Sequence, residues 1–97
     1  MNMDKTYLNC FKGLSRRASK PRMILVHHTA TSTPSKTRAA LISKGYSTHF
    51  EIDVDGTIYQ YADVDKVCSH GGSVNWQSIG IDLTHKTDTQ FPKAQII

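Results

Sequence analysis

The residues with chemical promise in this 97-residue chain sit at strand ends or beside glycine. The run Met23-Ile24-Leu25-Val26-His27-His28 carries an apolar segment straight into paired imidazoles, followed by Thr29-Ala30-Thr31. A strand that ends in His holds an imidazole rigidly, as a metal ligand requires. Alternation puts His27 on the face of Leu25 and His28 on the face of Val26, so only one of the pair reaches a given cleft. Asp82 stands mid-strand in Ser78-Ile79-Gly80-Ile81-Asp82-Leu83. Burying it unpaired would be costly, so it is expected to face a polar cleft, where it could shuttle a proton as a general base. In Ser69-His70-Gly71-Gly72 the glycines let a bound chain lie against backbone amides, and the indole of Trp76, after Asn75, suits the apolar face of a ring.

Each of these residues also has a plainer reading. A His at a strand end is more often a satisfied structural group. Asp82 could be an edge-strand carboxylate in a surface ion pair, and Trp76 a residue at the rim of the core. Cys68-x-His70 is a weak metal pair, because no C-x-x-C partner accompanies it.

The elements that must position these groups follow from periodicity. Residues 23–28 read as a strand of the kind found at the centre of a sheet covered on both faces. Thr33-Pro34 reads as an N-cap with proline at the first helical position, opening a helix through Lys44 that stops at Gly45. From Thr48 the period changes to two, with Thr48, Phe50, Ile52 and Val54 on one face and His49, Glu51 and Asp53 on the other. Asp55-Gly56 supplies a turn, and residues 57–61 return as the second strand of a hairpin. Residues 62–76 read as irregular, with one helical turn over 63–66, and residues 78–84 as a further strand. Residues 1–21 read as a lead-in in which Tyr7, Leu8, Phe11 and Leu14 could form one amphipathic turn on the domain edge. Phe91 to Ile97 looks like the opening turn of a helix.

Composition sets the outer bounds. Ninety-seven residues make one domain with a modest core, and no apolar run approaches the roughly 20 residues of a membrane span. The formal net charge is +4, with Lys12, Arg16, Arg17, Lys20 and Arg22 concentrated near the N-terminus. This segment reads as a solvated basic lead-in; as support for nucleic-acid binding it lacks an interleaved aromatic platform. No secretory signal is visible, so synthesis in the cytoplasm is expected, and two cysteines without C-x-x-C spacing fit a reducing compartment.

Four segments in order, Val26-His27-His28-Thr29-Ala30-Thr31, Ser47-Thr48-His49-Phe50 through Gln60, Ser69-His70-Gly71-Gly72 and Ser78-Ile79-Gly80-Ile81-Asp82-Leu83, resemble the type 2 N-acetylmuramoyl-L-alanine amidases, the superfamily of phage lysozyme-like amidases and peptidoglycan recognition proteins. The resemblance covers roughly residues 22–97. It implies an α/β fold with a central mixed β-sheet flanked by helices, and zinc-dependent hydrolysis of the amide between N-acetylmuramic acid and L-alanine in peptidoglycan or a muropeptide. It assigns His27 as metal ligand with His28 as its neighbour, Asp82 as catalytic residue where relatives often carry Glu, and His70, Gly71, Asn75 and Trp76 as substrate contacts. Thr48 occupies the place where some relatives carry a catalytic tyrosine. The cofactor implied is Zn2+; without a secretory signal, the chain is expected to be either a phage lysis enzyme released through a holin or a cytosolic enzyme that recycles wall fragments.

The resemblance also implies groups with no counterpart here: a second His, a third ligand that is His, Asp or Cys, and a Lys two residues before it, all beyond a helix that should begin near Pro92. Residues 22–97 are therefore expected to be an amidase-like domain incomplete at its C-terminus, either a fragment or a degenerate copy. An uncovered apolar sheet face would follow, with marginal stability or association. The competing reading is a catalytically inactive peptidoglycan-binding module.

Overall fold

The computed structural model describes residues 3–70 and 72–85. Nine short elements follow one another: β1 (Met3–Asp4), β2 (Ser15–Arg16), β3 (Met23–His28), α1 (Pro34–Lys44), β4 (Phe50–Ile52), β5 (Ile58–Gln60), β6 (Lys66–Val67), a 3₁₀ helix (Gly72–Gln77) and β7 (Ser78–Leu83). Five strands make one mixed sheet in the order β1-β5-β4-β7-β3, while β2 and β6 form a separate antiparallel pair. Within the sheet β7 runs parallel to both β3 and β4, and β4 and β5 form the antiparallel hairpin. No helix among the described residues is long and apolar enough to cross a membrane.

Local chemistry explains the boundaries of α1. The Thr33 side chain accepts a hydrogen bond from the Lys36 N–H at 3.2 Å, with Pro34 opening the first turn. At the other end Gly45 adopts φ 74°, and the N–H groups of Gly45 and Tyr46 donate to the carbonyls of Ile42 and Leu41. Glycine takes this left-handed conformation without a Cβ clash. The hairpin turn is one residue longer than Asp55-Gly56 alone: Asp53 N–H donates to the Thr57 carbonyl and Gly56 N–H to the Asp53 carbonyl, with Gly56 at φ 89°. A three-residue loop of this kind joins a tight turn to a left-handed residue and keeps the strand twist.

Three further expectations meet a different arrangement. β3 does not lie at a sheet centre: among the described residues only β7 pairs with it, and Ile24 and Val26 are 60% and 56% exposed. Its apolar run therefore marks a face awaiting cover rather than one already covered. The strand expected from Thr48 begins only at Phe50, after a bend, and Thr48 and His49 before it are both fully buried. The segment read as irregular over 62–76 contains β6 and most of the 3₁₀ helix. Phe91–Ile97 lies outside the described residues.

The N-terminal basic segment is woven into this architecture. β1 pairs with β5, and the buried Phe11 packs edge-on against Tyr61 with ring centroids 5.7 Å apart. The Arg17 guanidinium donates to the carbonyls of Val64 (2.5 Å), Trp76 (3.0 Å) and Ser78 (2.5 Å), joining the loop before β6, the 3₁₀ helix and the start of β7. A planar fork with five donors can do this where a Lys cannot. Replacing Arg17 by Met strands these carbonyls and is expected to cost roughly 2–3 kcal/mol, measured by urea denaturation; an unchanged midpoint would refute the anchoring role.

Candidate active site

A cleft of about 580 Å³ opens along the C-terminal end of β3. One wall is α1, contributing Thr37, Ala40, Leu41 and Lys44; the opposite side is formed by Ser69, His70, Gly72 and Asn75, and His27, His28 and Asp82 lie on the sheet side. Both members of the His pair thus reach this cleft, because it wraps around the strand end where alternation ceases to matter.

Sheet register brings the acidic and imidazole groups together. His27 on β3 is paired with Asp82 on β7, and Asp82 in turn with Glu51 on β4. Directly paired residues project from one face, so the three form a row across neighbouring strands, from the open cleft inward. Asp82 is only 7% exposed. Its carboxyl is pushed up to about 7, by burial first and then by the neighbouring Glu51, against a smaller opposing pull from the Thr48 hydroxyl. Glu51 is fully buried and accepts hydrogen bonds from Tyr61 Oη (2.6 Å) and Thr84 Oγ1 (2.5 Å). Burial raises its pKa, and these hydroxyls only partly offset the rise. A carboxyl poised near neutrality can take and return a proton at working pH.

Gly80 fixes the imidazoles behind this row. Its N–H donates to His49 Nδ1 at 3.0 Å, which leaves the ring proton on Nε2, bonded to the Lys66 carbonyl at 2.7 Å. Burial lowers the His49 pKa, opposed by the bond to Lys66 and assisted in smaller measure by Arg17, whose guanidinium stands 3.2 Å from the same nitrogen. His49 is therefore structural. Ser78 Oγ donates to the Val74 carbonyl (2.8 Å), so the 3.1 Å contact with His70 requires His70 Nε2 to be the donor. His70 Nδ1 then carries a lone pair, and it is buried without a hydrogen-bond partner among the described residues. Burial, reinforced by His49, His27 and Arg17, lowers the His70 pKa to about 4. Its ring centroid lies 5.9 Å from that of His27.

The residues singled out in the sequence are only partly assembled here. His27, Asp82, His70 and Asn75 line one cleft, and Asn75 Oδ1 accepts the His70 N–H at 3.1 Å, tying the loop to the 3₁₀ helix. Trp76 does not line the cleft; it is half exposed, and its carbonyl accepts from Arg17. Gly71 lies outside the described residues. Asp82 is not an edge-strand residue, since β7 has partners on both sides. Residues that sequence reasoning did not select are Glu51, Thr37, Lys44 and Tyr46: each becomes part of the site or its support only through strand order and helix placement.

The described residues do not by themselves complete a zinc site. Among the described residues no three His, Cys, Asp or Glu side chains are grouped so as to hold a metal ion, and three protein ligands are the usual minimum for a catalytic zinc.

The N-acetylmuramoyl-L-alanine amidase family model matches residues 17–97. The chain belongs to the N-acetylmuramoyl-L-alanine amidase family. Among solved structures, the N-acetylmuramoyl-L-alanine amidase LysC from Clostridium intestinale is similar at 29% identity and a TM-score of 0.76, over 97% of this chain and 65% of that one. The endolysin LysCS from the same organism gives 29% identity and 0.74, over 97% and 64%. Drosophila peptidoglycan recognition protein SA, at 21% identity and 0.65 over 87% and 57%, shows the fold alone. The chain thus spans just under two thirds of the length of these two amidases. No curated protein matches it in sequence.

Two outcomes test the electrostatics of this family member's cleft. Asp82, raised from 3.8 to about 7 in the fold, contributes stability that is present below pH 4 and lost as pH rises through 7; His70, lowered from 6.5 to about 4, contributes stability present above 6.5 and lost as pH falls through 4. The two oppose each other in between, with Glu51 acting in the same sense as Asp82. Asp82→Asn should therefore remove much of the decline toward neutral pH and leave a stability that climbs from pH 4 to 6.5, read by thermal melts at stepped pH; a wild-type profile in the variant would contradict the assignment. A Cβ at Gly80 would stand 2.8 Å from both His70 Cγ and Thr48 Oγ1, so Gly80→Ala should cost about 1–3 kcal/mol and shift the His70 ring resonances. Unmoved resonances would rule out the close packing.

Proposed function

We propose that this chain hydrolyses the amide bond between N-acetylmuramic acid and L-alanine in peptidoglycan. The carrying observation is the in-register pair His27 and Asp82 at the cleft, in a member of the N-acetylmuramoyl-L-alanine amidase family. Asp82, with its pKa near 7, takes a proton from an attacking water and returns it to the departing amine. His70 and Asn75 form the wall against which substrate is positioned. Trp76 and Gly71, adjoining that wall in sequence, are retained as candidate substrate contacts, with Trp76 at the outer edge. Zinc use is part of the proposal: His27 supplies one ligand, and the others must come from outside the described residues. The endolysin among the similar structures supports a role in wall lysis; synthesis in the cytoplasm and release through a holin complete the proposal. Residues 22–97 are proposed as the amidase-like unit, with 1–21 leading into it.

The second reading is a wall-binding module without catalysis. It is favoured by the likeness in fold to a peptidoglycan recognition protein.

Purified peptidoglycan separates the two. With zinc supplied, the hydrolytic reading expects about one bound zinc per chain and release of new amino termini, both lost in His27→Ala. Asp82→Asn should retain co-sedimentation with the wall while turnover falls by about 100-fold or more. Co-sedimentation without release under every condition would establish the binding module instead.

A further inference from the structure

The α1 wall of the cleft carries a charge that the proposed chemistry leaves unused. Thr37, Ala40, Leu41 and Lys44 recur at i, i+3, i+4 and i+7, so they form one stripe along the helix. Thr37 is buried at the inner end, its hydroxyl favouring the ionised form of Glu51, the carboxyl paired with Asp82. Ala40 and Leu41 give the middle of the wall an apolar surface. Lys44 ends the stripe about 10 Å farther along at 1.5 Å per residue. It makes no ion pair among the described residues. Beside it Tyr46, whose backbone is fixed by the helix-ending bond to the Leu41 carbonyl, exposes 55% of its surface and also lines the cleft.

Lys44 is the one lysine or arginine among the described side chains that line the cleft. The glycan half of a muramoyl peptide is N-acetylated and neutral, and its lactyl acid is consumed in the amide. Carboxylates of such a substrate belong to its peptide. About 10 Å corresponds to roughly three residues of extended chain, which brings a carboxylate of a short peptide within reach of Lys44 when the scissile amide lies near Asp82.

We infer that Lys44 and Tyr46 form a specificity subsite for the peptide half of the substrate, with Lys44 pairing to a free carboxylate and the Tyr46 ring supporting the adjoining chain. The inference rests on the proposed muramoyl-peptide substrate. It adds direction: the peptide runs outward along α1 rather than along the loop that carries His70.

The test measures binding by NMR titration of the full chain with an N-acetylmuramoyl tripeptide bearing free carboxylates and with its amidated counterpart. Wild type should bind the free acid about fivefold more tightly than the amide, with the difference shrinking at high salt. Lys44→Gln should bind both forms equally while keeping the wild-type melting temperature, and Tyr46→Ala should weaken both. Lys36→Gln, on the exposed face of the same helix, should retain the preference. If wild type binds the peptide but shows no preference, or Lys44→Gln keeps it, the subsite is wrong and the substrate reading stands. If wild type binds neither form, both fall together.

Discussion

The structure depends on one pairing: β7 lies parallel between β3 and β4, and that register sets Asp82 between His27 and Glu51. A shift of one residue would turn Asp82 to the opposite face and bring Ile81 or Leu83 into its place. Much of the remainder maintains this register. Arg17 holds the carbonyl of Ser78 at the start of β7. His49 accepts the Gly80 N–H, and Thr84 continues the ladder by donating its N–H to the Ile52 carbonyl and its hydroxyl to Glu51.

The electrostatic consequence is a gradient from interior to cleft. Glu51 is fully enclosed and receives hydroxyl donors, Asp82 is nearly enclosed, and His27 is exposed. The middle group responds most usefully, because burial and a neighbouring acid raise its pKa while the cleft gives it access to a reactant. His70 is tuned oppositely: with Nε2 committed to Ser78 and Nδ1 without a partner among the described residues, protonation would bury an uncompensated charge. The cleft thus pairs a carboxyl that protonates readily with an imidazole that resists protonation.

Several of these features were legible in the sequence because they are local. The Thr33 cap, Gly45 stop and Asp55-Gly56 turn each depend on a few neighbouring residues, and the apolar strand ending in His27 shows directly in the order of types. The resemblance supplied the mixed sheet. Glu51 was placed on the right strand, but its meeting with Asp82 depends on strand order, which no local pattern encodes. Arg17 resembled a solvated charge because its partners lie 47 to 61 positions away. Trp76 carried the right chemistry for a ring contact, yet Asn75 rather than Trp76 lines the cleft. The apolar run of β3 spoke for burial, whereas the described residues leave it at the sheet edge.

The central claim is that Asp82 is an enclosed carboxyl, raised by its surroundings and sharing a cleft with His27. Its most direct measurement is a carbon-13 NMR titration of the Asp82 carboxyl in metal-free protein. The account requires a midpoint near 7, displaced downward when Glu51 is replaced by Gln. A midpoint near 4, the value of a solvated aspartate, would mean that the carboxyl is not enclosed as described, and the proton-transfer role built on it would fail.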